Sequence, residues 1–504
     1  MAITQVPLKI VLQDEWLAYE TRELVRLFVD LNMVQITIDP DIQSHSPVTP
    51  PGIVCDCGLA ASGNQCRLRL ETAEGITLRQ ISLPAGWQQH PDARREVKRL
   101  YQAALYDLLQ RLTPVILPWG ILTGVRPVKL AHQLLRQEKD PAGVIKRLTE
   151  DYRVSFPKAS LLTDIVRVQL PVLQAVQSHQ ISLYIGIPLC PSRCSYCSFI
   201  SQAVQGSEDP LIAAYTQALI KEMTGTLEWL SQKGWSIETV YIGGGTPSVL
   251  SAGQMDGLMA ALADNWPMEQ IQEITFEAGR PDTITREKLE ILRRYRVNRL
   301  SINPQSLQPE TLVRINRHHT VSRFFEAWQL AEEMGFETIN MDLIIGLPGE
   351  GQAEVSRTLA AIAPLKPANL TVHALALKRS SQLKTDGSGH TLTDAEAGRI
   401  MDRIYAFAAE MQLSPYYLYR QKEMAGHLEN VGFSLPGKEG LYNILMMEEK
   451  QTILGIGAGA VSKLYDPSRD RIDRIPHVKN IPLYIERIRE KGFDKEAWTA
   501  AFPD

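Results

Sequence analysis

The chain has 504 residues, 53 Lys and Arg against 57 Asp and Glu, a net charge of −4, and 44% apolar residues. That length predicts two or three domains with substantial cores, and the near-balanced charge gives no electrostatic footprint for a nucleic-acid partner. No apolar run approaches the ~18 residues a membrane span needs, the first residues lack a basic stretch followed by an apolar one, and six cysteines, three of them clustered, fit a reducing cytoplasm better than a disulfide framework.

The first ~165 residues read as an α/β accessory domain with a helical connector. Strand patterns at 7–13, 34–39, 53–59, 66–72 and 76–83 surround a helix near 20–32, and helical periodicity follows at 92–112 and 160–176. The Pro- and Ser-rich stretch Ser44–Gly52 is a loop. Cys55, Cys57 and Cys66 alternate on adjacent strand patterns and read as small buried hydrophobes rather than a metal site.

From residue 182 short β-branched runs alternate with longer helical ones. The runs lie at 182–189, 236–243, 273–278, 299–304, 338–347 and 368–377, with helices at 211–234, 285–297, 321–335 and 352–365 between them; Gly234 and Gly335 stand where helix C-caps are needed. Six strand–helix units imply a parallel sheet curved into a partial barrel over 178–378, with chemistry at the carboxyl ends of its strands. After the linker Lys384–His390 a strong helix pattern covers 394–411, and the segment 379–504 is expected to be mostly helical and to cover the substrate.

Three cysteines follow the first strand, Cys190-Pro-Ser-Arg-Cys194-Ser-Tyr-Cys197. Three thiolates on one tight loop suit a soft metal or an iron–sulfur cluster, and a four-iron cluster held by three leaves one iron open to a small molecule. Zinc is the alternative, but it needs a fourth ligand that no nearby pair supplies. The second strand ends in Gly243-Gly244-Gly245-Thr246-Pro247, where missing side chains let backbone approach a ligand. Glu277 ends the third strand, Gln305 follows the fourth, Arg317 lies twelve residues on, and Asp342 is a carboxylate in an otherwise apolar strand, costly unless partnered.

The cysteine loop resembles that of the radical S-adenosylmethionine (SAM) superfamily, with Tyr196 in the aromatic position before the third cysteine. Together with Trp119–Arg126, Ile302–Ser306, Arg317–Thr320, Tyr416–Lys422 and Leu428–Gly432, the order of motifs resembles the oxygen-independent coproporphyrinogen III oxidase family, in its HemZ-type branch with an N-terminal domain. The resemblance implies a (β/α)6 partial barrel and a [4Fe-4S] cluster on Cys190, Cys194 and Cys197. It implies SAM held by Tyr184, Gly243, Gly244, Gly245, Thr246, Glu277, Gln305, Arg317 and Asp342. It further implies a 5′-deoxyadenosyl radical that decarboxylates two propionates of coproporphyrinogen III, in heme biosynthesis, with an electron donor such as flavodoxin or ferredoxin. Tyr416, Tyr419, Arg420, Lys422 and Arg126 are candidate substrate contacts, although Tyr416–Tyr419 could equally be a packed strand. Two departures weaken transfer of the activity: Gly186 where the oxidases carry His, and Phe199 where they carry Cys. A heme-binding chaperone on the same fold, or another radical SAM enzyme acting on tetrapyrroles, is the alternative.

Overall fold

The computed structural model describes residues 7–42, 51–56, 65–84, 86–87, 89–113, 117–124, 126–378, 381–385, 392–421, 424 and 428–501. Cys57, Lys422, most of the 44–52 loop and most of the 384–390 linker lie outside them. The chain divides into two compact units, Met1–Asp164 and Ile165–Asp504.

The first unit is built on a five-stranded sheet of order β2-β1-β3-β4-β5, with β1 (Leu8–Leu12), β2 (Val34–Ile38), β3 (Gly52–Asp56), β4 (Gln65–Thr72) and β5 (Gly75–Ser82). β1 runs parallel to both neighbours, and the β3–β4–β5 edge is antiparallel. The helix Pro91–Leu112 places Val97, Tyr101, Leu105 and Leu108 in one buried stripe within the unit's core. Cys66 is fully buried on β4 and disulfide-bonded, which corrects its reading as an unpaired small hydrophobe.

The second unit carries six parallel strands in sequence order: β6 (Gln180–Ile187), β9 (Ser236–Gly244), β10 (Glu273–Gly279), β11 (Arg299–Ile302), β12 (Thr338–Ile345) and β13 (Asn369–Ala374). Each matches an apolar run in the sequence to within a few residues. Helices Pro210–Gln232, Arg286–Arg294, Val321–Glu333 and Gln352–Ile362 connect them, and Gly234 and Gly335 end two of these helices at φ 70° and 71°. A two-residue pair, β7 (Leu189–Cys190) with β8 (Gln202–Ala203), closes the cysteine loop. The helix Ala252–Asn265 joins β9 to β10 and is capped by Ser251 and Gln254.

The period of two along these strands sorts their side chains. Ile181, Leu183, Ile185 and Ile187 are fully buried on one face of β6. The other face carries Ser182, Tyr184 and Gly186, in register with Thr239, Tyr241 and Gly243 of β9. Continuing round the sheet, the register aligns Glu277 with Ser301, Ser301 with Asn340, and Asp342 with Thr371. One face of the sheet is therefore aliphatic and packs as core, while the other is polar and aromatic and lines a chamber.

The segment after 378 does more than add helices. β15 (Asn430–Ser434) joins β13 antiparallel and β14 (Ser414–Tyr419) extends it, while β16 (Thr452–Ile456) lies parallel to β6 at the other end, followed by β17 (Val461–Asp466) and β18 (Arg471–Pro476). The sheet of this unit thus has eleven strands.

Candidate active site

The loop bearing the three thiols is clamped from several sides by backbone. Val204 N–H donates to the Cys190 carbonyl at 2.9 Å, Ser195 N–H to Ile315 O at 3.0 Å, and Leu383 N–H to Ser195 O at 3.1 Å. Cys190 and Cys194 are each 9% exposed and Cys197 is half-buried; all three are free. Burial pushes the Cys190 thiol up, opposed by the Thr246 hydroxyl, and pushes Cys197 up to about 11. Apo thiols held neutral by burial ionise when a cationic centre binds them. Among the described residues no three His, Cys, Asp or Glu side chains converge on one ion. Three free thiols on one loop suit a four-iron cluster with one iron left open to a small molecule.

The glycine motif packs on this loop. Gly245 N–H donates to Ile187 O at 2.9 Å, Thr246 N–H to Leu189 O at 2.8 Å, and the Thr246 hydroxyl lies 3.6 Å from Cys190 Sγ. A Cβ on Gly245 would stand 2.6 Å from the Leu189 carbonyl and 2.8 Å from Cys190 Sγ. On Gly243 it would meet the Glu277 carboxylate at 2.6 Å, and Gly244 has φ 122°. The glycines are therefore required first by the protein's own packing, a reason the sequence reading, which reserved the space for ligand, did not foresee.

Glu277 and Asp342 both face the chamber. The only hydrogen bond to the Glu277 carboxylate among the described residues is from Gly244 N–H at 3.2 Å. Asp342 accepts from Asn340 Nδ2 at 2.8 Å and stands 3.8 Å from His373 Nε2. Neither has an Arg or Lys within ion-pair distance among the described residues, and the His373 imidazole beside Asp342 pairs with it as an ion only when protonated. Burial, reinforced by Asp342, pushes the Glu277 carboxyl up to about 8. Two carboxylates short of a counter-charge suit a ligand offering an ammonium or hydroxyls. Gln305 sits nearby in a left-handed conformation (φ 64°), its backbone bonded to β12 on both sides and its side-chain Oε1 buried without a partner. This strained position with an orphaned acceptor is also consistent with a ligand contact.

Arg317, expected to contact SAM, lies against the cysteine loop and close enough to Glu277 to oppose the rise of its carboxyl. Its Nη1 is 3.1 Å from Tyr196 Oη and 3.9 Å from Cys194 Sγ, and Nη2 donates to Gly279 O at 2.8 Å and to Asn303 O. It faces the cysteine loop.

The structure adds residues that sequence reasoning missed. Tyr442 stacks on Tyr241 with centroids 4.6 Å apart, and Tyr184 lies 6.2 Å from Tyr241. Tyr442 reaches this wall because the Glu273 carboxylate accepts from the backbone N–H of Leu441 and Tyr442 and fixes the start of the helix Leu441–Glu448. His373 bridges toward the C-terminal strand, with Nδ1 3.3 Å from Tyr419 Oη. Only strand register, invisible in the sequence, brings these together.

Of the candidate substrate contacts, Tyr419 borders the chamber. Tyr416 does not: it is fully buried beside Ile444, Val168 and Val172, with its hydroxyl 3.0 Å from Asn443 Nδ2, so the packed-strand reading holds for it. Arg420 is 8% exposed, and burial lowers its guanidinium to about 10 against the opposing charge of the fully buried Glu429. It is a buried cation with an internal counter-charge, not a chamber group awaiting a carboxylate. Arg126 lies in the first unit, at the start of the helix Pro127–Glu138. The two departures meet elsewhere: Gly186 and the exposed Phe199 both line a cavity of about 210 Å³, with Ile200, Tyr184 and the loop Ala458–Ala460.

Residues 184–362, which take in five of the six parallel strands, from within β6 to the helix that precedes β13, match the radical SAM superfamily model. The chain is 43% identical over 409 residues to the oxygen-independent coproporphyrinogen-III oxidase-like protein HemZ of Bacillus subtilis, covering 80% of this chain and 81% of that one. It is 30% identical to the heme chaperone HemW of Lactococcus lactis, over 63% and 78% of the two chains. The solved structure of coproporphyrinogen III oxidase HemN from Escherichia coli, a radical SAM enzyme, superposes with a TM-score of 0.51 at 23% identity, over 64% of this chain and 72% of that one. Members of the superfamily bind a [4Fe-4S] cluster and SAM, the groups that the free thiols and unpaired carboxylates fit. No helix among the described residues is long and apolar enough to cross a membrane. The chain belongs to the radical SAM superfamily, within the family of oxygen-independent coproporphyrinogen-III oxidase-like proteins that includes HemZ.

Proposed function

We propose that the protein catalyses the oxygen-independent oxidative decarboxylation of coproporphyrinogen III to protoporphyrinogen IX. The observation that carries the reading is the pair of chamber carboxylates, Glu277 and Asp342, with no Arg or Lys partner among the described residues, beside three free thiols, in a chain 43% identical to HemZ. Cys190, Cys194 and Cys197 would hold the cluster, and Glu277, Asp342 and Gln305 would meet the ammonium and hydroxyl groups of SAM. When bound, cluster and SAM together supply a 5′-deoxyadenosyl radical that takes one hydrogen atom from a substrate propionate. The propionate then loses CO2 and one electron to an acceptor, leaving a vinyl group.

The chain's own residues have two tasks in this reading. The stacked rings of Tyr241 and Tyr442, with Tyr184 alongside, wall the chamber and keep water from a reactive carbon. His373 and Tyr419 present polar atoms at the C-terminal side of the same chamber, where a substrate carboxylate can be oriented.

The relation to HemW favours a second reading, a heme-binding chaperone. An anaerobic assay with reconstituted protein, SAM, reductant and coproporphyrinogen III separates the two. Protoporphyrinogen and its monovinyl intermediate are the expected products by chromatography. Tight heme binding with a fully loaded cluster and no consumption of coproporphyrinogen would overturn the oxidase reading.

A further inference from the structure

We propose that Arg317 sets the reduction potential of the cluster, acting as an uncompensated buried positive charge against the cysteine loop; the inference rests on the cluster assignment above. Arg317 is 5% exposed. Its polar contacts are a phenol oxygen, a thiol and two backbone carbonyls, and no carboxylate lies within ion-pair distance among the described residues. A buried guanidinium without a counter-charge is expensive to keep in a fold. The counter-charge this site can offer is the thiolate set, with Cys194 Sγ 3.9 Å from Nη1.

A second buried guanidinium against the same loop shows the contrast. Arg280 is 3% exposed, and its Nη1 donates to Ser192 Oγ, between Cys190 and Cys194, at 2.9 Å. Its Nε and Nη2 are each 3.0 Å from the two carboxylate oxygens of Asp282. That pair is neutral overall, so Arg317 brings the net charge. Reduction transfers one electron from a low-potential one-electron donor to the cluster and adds a negative charge there. A fixed cation close by in a low-dielectric site stabilises the reduced form more than the oxidised one. Arg317 would therefore be a positioning residue for the electron, independent of any tetrapyrrole.

The test is a potentiometric titration of reconstituted, SAM-free protein with dithionite, followed by the electron paramagnetic resonance signal of the reduced cluster and normalised to iron content. Arg317→Gln is expected to lower the reduced-to-oxidised ratio at fixed potential at least tenfold, a midpoint 59 mV more negative for a one-electron couple. Arg317→Lys, which keeps the charge, should recover most of that shift. The paired change Arg280→Gln with Asp282→Asn, which alters no net charge, should move the ratio less than about twofold. An unchanged midpoint in Arg317→Gln, or equal shifts in the Gln and Lys variants, would overturn the proposal. If the Gln variant takes up no iron, Asn303→Asp carries the test. It preserves the shape of a buried side chain next to the Arg317 contact and introduces an opposing charge. It should lower the midpoint, and an unmoved midpoint there also overturns the idea. Wild-type protein that binds no iron would sink the cluster assignment, and the proposal with it.

Discussion

Replacing Glu277 by Gln tests whether the chamber is built for a cation, because the carboxylate is costly until one arrives. Burial and Asp342 raise its carboxyl from 4.5 to about 8. The sign follows from linkage. A carboxyl raised in the folded state holds its proton where the unfolded chain has lost it, so stability falls as pH rises from about 4.5 and the full cost is present above about 8. At ~1.4 kcal/mol per unit that gap amounts to about 5 kcal/mol, and solvent screening at the half-buried Glu277 reduces it to about 2–3 kcal/mol. Glu277→Gln removes the ionisation. The cluster-loaded, SAM-free variant should therefore match wild type near pH 5 and be more stable by that amount at pH 8.5, measured by anaerobic urea unfolding. Affinity for SAM should move the other way. A lost charge-assisted contact is worth about 1.5–3 kcal/mol, roughly ten- to a hundredfold. That loss should appear at pH 9, where wild-type Glu277 is ionised, and shrink at pH 6, where it is not. Comparing variant with wild type at each pH cancels the titration of SAM itself. A variant no more stable than wild type at pH 8.5, with the same affinity ratio at both pH values, would refute the reasoning.

Alanine at Cys190, Cys194 or Cys197 should abolish the brown chromophore and SAM cleavage together, while Cys66→Ala leaves iron content unchanged, as measured by iron assay and visible absorbance. Gly245→Ala should cost several-fold in iron loading, because its Cβ would sit 2.6 Å from the Leu189 carbonyl and 2.8 Å from Cys190 Sγ; Gly253→Ala, with nothing within 4 Å, is the control. Arg420→Ala should destabilise the fold by about 1–3 kcal/mol in unfolding experiments, since it removes a buried cation opposing the charge of the buried Glu429, which keeps the Tyr405 hydroxyl as a donor. SAM cleavage per folded molecule should remain; normal stability with lost product would instead make Arg420 a substrate contact.

The six parallel strands were legible because each is a short β-branched run bounded by glycine-ended helices, a pattern set by local geometry. The thiols, Glu277 and Asp342 were legible because their chemistry is out of place in a strand end or a tight loop. What could not be read depends on register and on contacts between distant residues. Tyr442 joins Tyr241 across two hundred residues, through a Glu273 carboxylate that caps a helix of the last segment. Arg317 follows its motif in sequence, yet its direction toward Cys194 is fixed by two carbonyls at the ends of β10 and β11. The strands β14 to β18 are five or six residues long and mixed in polarity, so beside the strong helix at 394–410 they carried little periodic signal. Tyr416 and Tyr419 show the limit at the level of one strand. Alternation puts one in the core and the other at the chamber, and the sequence does not say which parity faces which way.

The layout of the second unit also brings together the two positions that depart from the family pattern. The groups suited to SAM, Glu277, Asp342 and Gln305, come from strands β10 to β12 and the turn after β11, and the free thiols lie on the loop after β6. The two positions that differ from the established oxidases, Gly186 and Phe199, both border the cavity at the β6 and β16 side, with Ile200 and the Ala458–Ala460 loop. That loop is held by its own network. Gly457 N–H donates to the buried Glu222 carboxylate at 2.9 Å, and Ala458 N–H reaches Tyr215 Oη at 3.0 Å, while the same hydroxyl donates to Gly186 O at 2.6 Å. A Cβ at 186 would stand 3.2 Å from Ile456 O on β16 and 3.3 Å from the Tyr184 ring, so a histidine there needs β16 or that ring to give by a few tenths of an ångström. The exchange of His for Gly is thus tied to the C-terminal segment through backbone packing. Tyr184 and Gly244 line the same cavity, and Gly244 N–H donates to the Glu277 carboxylate, so this cavity shares a wall with the groups suited to SAM.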